Sequence, residues 1–210
     1  IDVHRSDEQI RALEDRIREA FDQGDHRRAA SIAIEGYGPE LLGFLTNLLE
    51  DPSTASEVFS QACEDIWLGI PRFQWRSLFR TWAFVVTRRA YRRFLNRERR
   101  FGYQRLSAVS EPRVQAQKVR TATSPHLRTE VKSRVLELRR QLSLTDQTLL
   151  ILRVDRNLSW KDVALVMAEP DESLDGPALN RAAATQRKRF ERAKQRLRDL
   201  VEAEGLLDDA

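Results

Sequence analysis

A chain of 210 residues with 41% hydrophobic and 32% charged residues, 8 glycines and 7 prolines has the composition of a soluble, helix-rich protein, and excludes disordered or collagen-like chains. No apolar run approaches the roughly 18 residues that span a bilayer, and the opening IDVHRSDEQI lacks the apolar stretch of a secretory signal, so a cytoplasmic location without membrane contact is expected. Cys63 alone excludes an internal disulfide, and His4, His26 and His126 have no zinc-ligand spacing, so neither metal nor cofactor is expected.

Along the chain, Ser6 with Gln9 forms a capping box, and Ile10, Leu13, Ile17 and Phe21 recur at helical spacing, which predicts an amphipathic helix over 7–22 that ends at Gly24. A second helix is expected over 27–35. The run Gly36-Tyr37-Gly38-Pro39 reads as a turn, with Pro39 opening a third helix that turns Leu41, Leu42, Phe44, Leu45, Leu48 and Leu49 inward.

Asp51-Pro52-Ser53 breaks the chain. Thr54 with Glu57 reads as the next capping box, opening a helix with Val58, Phe59, Ala62, Ile66 and Trp67 on one face and Ser56, Glu57, Ser60, Gln61, Glu64 and Asp65 on the other. Cys63, within it, reads as a small buried residue in preference to a redox group. From Glu35 to Ile70 there are seven acidic residues and no Lys or Arg, a local charge of −7.

The loop PRFQWRS follows, and Ser77 is expected to cap a long helix buried through Leu78, Trp82, Val85, Val86, Ala90 and Phe94. Arg88 to Arg100 holds seven Arg against Glu98, a net +6. Two aromatics and Arg76 just ahead of a basic helix suit stacking of unpaired bases while the helix holds phosphates. Trp67 and Trp82 read as core.

Residues 101–130 lose the apolar period and gather Ser, Thr, Pro and Gln, the composition of a flexible linker. Helical order returns with Val131, Val135, Leu138 and Leu142. Then LSLTDQTLLILRVDRNLSWKDVALVM reads as helix, tight turn and helix, with Leu149, Leu150 and Leu152 inward, a turn at 155–157, and Ser159 with Asp162 as a capping box. A last amphipathic helix is expected from about Ala178 to Glu204. From Arg181 to Arg198 it holds eight basic residues against Glu191, a net +7. Two basic runs, each on an apolar-periodic helix, point to two phosphate-facing surfaces, and the acidic stretch to a different partner.

A helix pair followed by a basic helix is the arrangement of a helix-turn-helix reader, whose last helix enters the major groove. No Gly-rich phosphate loop, histidine–nucleophile pair or metal spacing accompanies it, so an enzyme is not expected. The predicted fold is all-α: two small helical domains joined by a flexible linker, the C-terminal one a helix-turn-helix.

Taken together these motifs resemble the extracytoplasmic-function sigma factors of bacterial RNA polymerase, over roughly residues 29–100 and 131–203. GYGPELLGFLTNLLEDPSTASEVFSQACEDIW is similar to the start of family region two, FQWRSLFRTWAFVVTRRAYRRFL to its promoter-melting part, LSLTDQTLLILRVDRNLSWKDVALVM to the first half of region four, and TQRKRFERAKQRLR to its recognition helix. The resemblance implies that 1–100, the N-terminal helices and region two, engages the clamp coiled coil of core RNA polymerase and opens the −10 promoter element. It implies that 131–210, region four, reads the −35 element beside the polymerase flap, with 101–130 as linker.

By the same resemblance, polymerase contacts fall on Ser56, Glu57, Gln61, Glu64 and Asp65. A flipped −10 base falls to the loop Phe73, Gln74, Trp75, Arg76 and Ser77, with Arg80, Arg88, Arg89, Arg92 and Arg93 on the adjoining DNA. The −35 duplex falls to Thr185, Arg187, Lys188, Arg189 and Arg192. Members of this group are often held inactive by an anti-sigma protein, which is a further partner the resemblance implies.

Three departures stand out. Ala62 replaces a usual acidic residue, Arg89 stands where asparagine is common, and AEPDESLDGPALNRAAA before Thr185 is far longer than the usual turn. That span either extends the recognition helix backward from Pro177 or forms an acidic flap competing with DNA. Outside the sigma reading stand a conventional helix-turn-helix regulator that never replaces a sigma subunit and a helical adaptor that binds protein alone.

Overall fold

In a computed structural model of the chain, the residues described are 5–49, 51–101, 130–169, 172 and 174–205. They contain helices and no β-strand. The chain divides into two compact units, 1–124 and 125–210. Most of the expected linker, and the side chain of Val131, lie outside the described residues.

In the first unit, α1 (Asp7–Asp22) begins as its capping box requires, with the Ser6 hydroxyl accepting from the Gln9 amide and the Gln9 side chain accepting from the Ser6 amide. Leu13, Ile17 and Ala20 are buried, and Gly24, at φ +76°, reverses the chain where a side chain would be strained. Asp25 caps α2 (His26–Leu48) by accepting from the Arg28 amide at 2.9 Å.

The expected break at 36–39 is absent, and α2 runs straight through it. Packing explains the sequence better than turn chemistry does. Gly36 lies against α1, where a Cβ would come within 2.5 Å of Leu13 Cδ2, and Tyr37 and Gly38 are buried. Gly36 permits close approach to α1, and the buried residues around it hold Pro39 in the helix despite its missing amide hydrogen.

The N-terminus of α3 (Pro52–Gly69) also differs from expectation. Asp51, and not Thr54, is the cap: its carboxylate accepts from the amides of Ser53 and Thr54 and from the Thr54 hydroxyl, with Pro52 in the first turn. Those bonds, led by the Thr54 hydroxyl, hold the Asp51 carboxyl below its ordinary range. Val58, Phe59, Ala62 and Ile66 are buried as the periodicity requires, and Cys63 is buried too, but Trp67 is only half-buried.

A single 3-10 turn, Ile70–Arg72, leads to the loop before α4 (Phe79–Phe101). Val86, Ala90 and Phe94 are buried as expected, joined by Phe79, Ala83, Phe84 and Tyr91, while Trp82 and Val85 are half-buried and Leu78 is exposed. Ser77 does not cap this helix, since its hydroxyl donates to the Leu78 carbonyl. Glu14 of α1 takes the role instead, accepting from the amides of Phe79 at 2.7 Å and Arg80 at 2.9 Å.

In the second unit, α5 (Glu130–Arg140) leads to α6 (Leu144–Leu150), capped by Ser143, and the chain continues as a π turn over Ile151–Asp155. Asn157, at φ +50°, turns it into α7 (Trp160–Met167), where the Ser159 hydroxyl accepts from the Asp162 amide. The last helix, α8 (Gly176–Ala203), packs on α5, α6 and α7. Leu138, Leu149, Leu150, Ile151, Leu152, Val163, Ala164 and Ala193 form the core. Helix α8 starts at Gly176 with Pro177 in its first turn, so the backward extension is the observed one of the two alternatives. Pro170, Asp171 and Ser173 of the acidic span lie outside the described residues.

Candidate nucleic-acid and protein interfaces

The loop between the 3-10 turn and α4 alternates in exposure. Phe73 is buried, Trp75 and Ser77 are half-buried, and Gln74 and Arg76 are exposed. Phe73 packs against Phe79, Trp75 and Trp82 at centroid distances of 5.3, 4.9 and 5.0 Å, which makes it core and unavailable for stacking a base. Trp75 lies edge-on to Phe21 of α1 at 5.6 Å, with the Arg18 guanidinium 4.9 Å from its ring centroid. Its backbone, at φ +55°, occupies a region that bulky residues avoid, and its indole N–H is buried without a hydrogen-bond partner. The exposed polar groups of the loop are therefore Gln74 and Arg76, an amide and a guanidinium.

On α4, the arginines divide by burial. Arg80 is 9% exposed and donates through Nε at 2.9 Å and Nη2 at 2.7 Å to Glu40, which is fully buried and also meets Arg5 at 3.3 Å. This makes Arg80 a structural ion-pair partner, its guanidinium committed to Glu40. Arg88 is likewise 9% exposed, which withdraws it from the helix surface. Arg89 and Arg93 are exposed and Arg92 is half-buried, so these three form the outward basic edge.

On α3, Ser56, Glu57, Gln61 and Asp65 are half-buried, and Glu64 is only 6% exposed. The Gln61 amide donates to Glu64 at 3.2 Å and Asp65 at 3.4 Å, which ties three of the five acidic-face residues into one cluster. Asp65 also pairs with Arg93 of α4, so the acidic face and the basic edge meet at this bond.

In the second unit, Thr185, Arg187, Lys188 and Arg192 of α8 are exposed, and Arg189 is half-buried. Two supports were not read from the sequence. Asp146, 2% exposed, accepts from Arg189 at 2.9 Å and Arg196 at 2.7 Å and so fixes the roll of α8 against α6. Burial alone would raise the Asp146 carboxyl, but hydrogen bonds from Arg189 and Ser143 and the charges of Arg189 and Arg196 bring it below its ordinary range. Trp160, at the start of α7, carries Arg153 and Arg187 over its ring at 5.2 and 5.5 Å and meets Phe190 edge-on, which steadies Arg187. An acid in the first turn of α6 and an aromatic beside a helix cap are the sequence signals for these contacts.

Among the described residues no group of His, Cys, Asp and Glu could hold a metal ion, and no helix is long and apolar enough to cross a membrane. The surfaces suit binding through charge and hydrogen bonds. Comparison of the chain with curated proteins gives no match. Residues 33–101, from within α2 to the end of α4, match the family model Sigma-70 region 2.

Proposed function

We propose that the chain is a sigma factor of the extracytoplasmic-function group, a non-enzymatic protein that binds core RNA polymerase, recognises the −10 and −35 promoter elements and helps melt the DNA between them. The observation that carries this reading is the region 2 match across α2, α3 and α4, with an exposed arginine edge on α4 in the same span. A conventional helix-turn-helix regulator has no use for that domain.

In this reading residues 1–100 serve the polymerase and the −10 element, and 131–210 are region four. Ser56, Glu57, Gln61 and Asp65 on α3 face the basic clamp coiled coil, where opposite charge speeds encounter and fixes register. Arg89, Arg92 and Arg93 hold the −10 phosphates, and Gln74 and Arg76 meet the unpaired base. Helix α8 presents Thr185, Arg187, Lys188 and Arg192 to the −35 major groove, with Arg189 held to Asp146 as its anchor. An anti-sigma protein fits the regulation of such a factor.

Reconstitution tests the reading. Core bacterial RNA polymerase with this chain should retain it through gel filtration and start transcripts from a defined sequence upstream. A chain that forms no complex with core, yet binds duplex DNA, would be a conventional regulator.

A further inference from the structure

Thr185, the first residue of α8 assigned to DNA, stands about 13 Å along the helix axis from Gly176, where the helix begins. That extra length is docked: Ala183 is 8% exposed, and Leu179 and Ala182 are half-buried, on the side that also buries Phe190 and Ala193. The opposite side is exposed at Asn180, Arg181, Ala184, Thr185, Lys188 and Arg192. At about 3.6 residues per turn these six lie in one stripe, so the extension continues the candidate reading face in register.

We infer that Asn180 and Arg181 are base-reading residues that lengthen the −35 contact, an inference that rests on α8 being the duplex reader. The major groove is about 8.5 Å deep, less than the length of helix ahead of Thr185. End-on entry would drive the start of α8 into the groove floor before Thr185 reached a base. The helix therefore lies along the groove, with its whole exposed stripe against the base edges. Asn180 to Arg192 spans about 18 Å, or about five base pairs, where Thr185 to Arg192 alone covers about three.

The residue types fit base reading. Asparagine pairs bidentately with adenine, arginine with guanine, and the Ala184 methyl suits the methyl of thymine. Charge argues against a mere phosphate anchor, because the exposed Glu172 and Asp175 just ahead of the helix outweigh Arg181 and repel the backbone. Attraction at this end must come from directed bonds to bases.

The test is selection from a randomised duplex library by the full chain, with wild type compared to Asn180→Ala, Arg181→Ala and Arg181→Lys. Alanine at 180 raises helix propensity, so the fold is retained. Wild type should enrich a motif whose terminal one or two base pairs lose about 5- to 100-fold of their preference in each variant, the rest of the motif being unchanged. Arg181→Lys is the sharper variant, since lysine keeps the charge and loses the bidentate fork. Retained selectivity in Arg181→Lys with uniformly weaker binding in Arg181→Ala would make residue 181 a phosphate contact and overturn the inference. Unchanged motifs in all three variants would overturn it too. No enrichment by wild type, at low or raised salt, would instead remove α8 as a duplex reader.

Discussion

Glu14 and Phe79 are 65 positions apart, yet the carboxylate of the first accepts the amide hydrogen of the second at 2.7 Å, and α4 takes its cap from α1. The same carboxylate accepts from the Arg80 amide and from the Tyr37 hydroxyl at 2.6 Å, and it is only 6% exposed. Burial and the Glu14 charge push the Tyr37 phenol far above its ordinary range, so it remains a donor at any pH the fold survives. Glu14→Ala leaves three buried donors without a partner and should destabilise the first unit by about 2–4 kcal/mol. Tyr37→Phe, which removes one donor and leaves the cap, should cost about 1 kcal/mol. Urea unfolding of the two variants checks the order; equal midpoints would mean that Glu14 does not cap α4 in solution.

Trp75 separates backbone strain from side-chain packing. Its φ of +55° favours glycine, while its ring packs on Phe21, Phe73 and Arg18. Trp75→Ala and Trp75→Gly both lose the packing, but only glycine also relieves the left-handed backbone. Trp75→Gly should therefore be more stable than Trp75→Ala by about 1 kcal/mol. The reverse order, which helix-free propensity would not explain, would show that the loop abandons this conformation in solution.

Local signals made much of this architecture legible. The capping box at Ser6, the cap at Ser159 and the apolar periods of α1, α3 and α8 made their helices legible directly, because each depends on residues within one or two turns. The Thr54 cap gave way to a neighbour, Asp51, but the other differences involve a distant partner. Gly36 is small because Leu13 lies on it, and Ser77 fails as a cap because Glu14 already occupies the helix terminus. At the candidate interfaces, Phe73 and Arg80 match an aromatic and basic pattern but are buried by Trp82 and Glu40, contacts that no spacing rule predicts.

Arg80 and Arg89, one helix and nine residues apart, should respond oppositely to removal. Arg80→Ala takes from the buried Glu40 its guanidinium partner at 2.7 Å and should cost about 3 kcal/mol of stability. Arg89→Ala is a change on an exposed face, within about 0.5 kcal/mol in stability, and should weaken promoter DNA binding with a shallower salt dependence. Thermal melts set beside DNA titrations at several salt concentrations distinguish the two. Loss of stability in Arg89→Ala, with Arg80→Ala unaffected, would reverse the division of α4 into a buried and an exposed basic set.

Asp146 links the roll of α8 to pH. Its folded carboxyl lies below its ordinary value of 3.8 because Arg189, Ser143 and Arg196 together outweigh the opposing effect of burial. A depressed folded value means that the unfolded chain binds the proton first as pH falls. The stabilisation is therefore complete above the unfolded value and is lost as pH drops from there through the folded one. Between pH 7 and pH 5 the Asp146 contribution should be flat, and below about pH 4 it should decline. Asp146→Asn removes the charge and should lower second-unit stability at neutral pH, with the gap to wild type closing in acid. Because Asp146 also holds Arg189 and Arg196, the variant should weaken duplex DNA binding at pH 7 even at temperatures where both proteins remain folded. A gap in stability that stays constant from pH 7 to pH 3 would show that Asp146 acts through packing alone and that its bonds to the two arginines carry no charge-dependent stability.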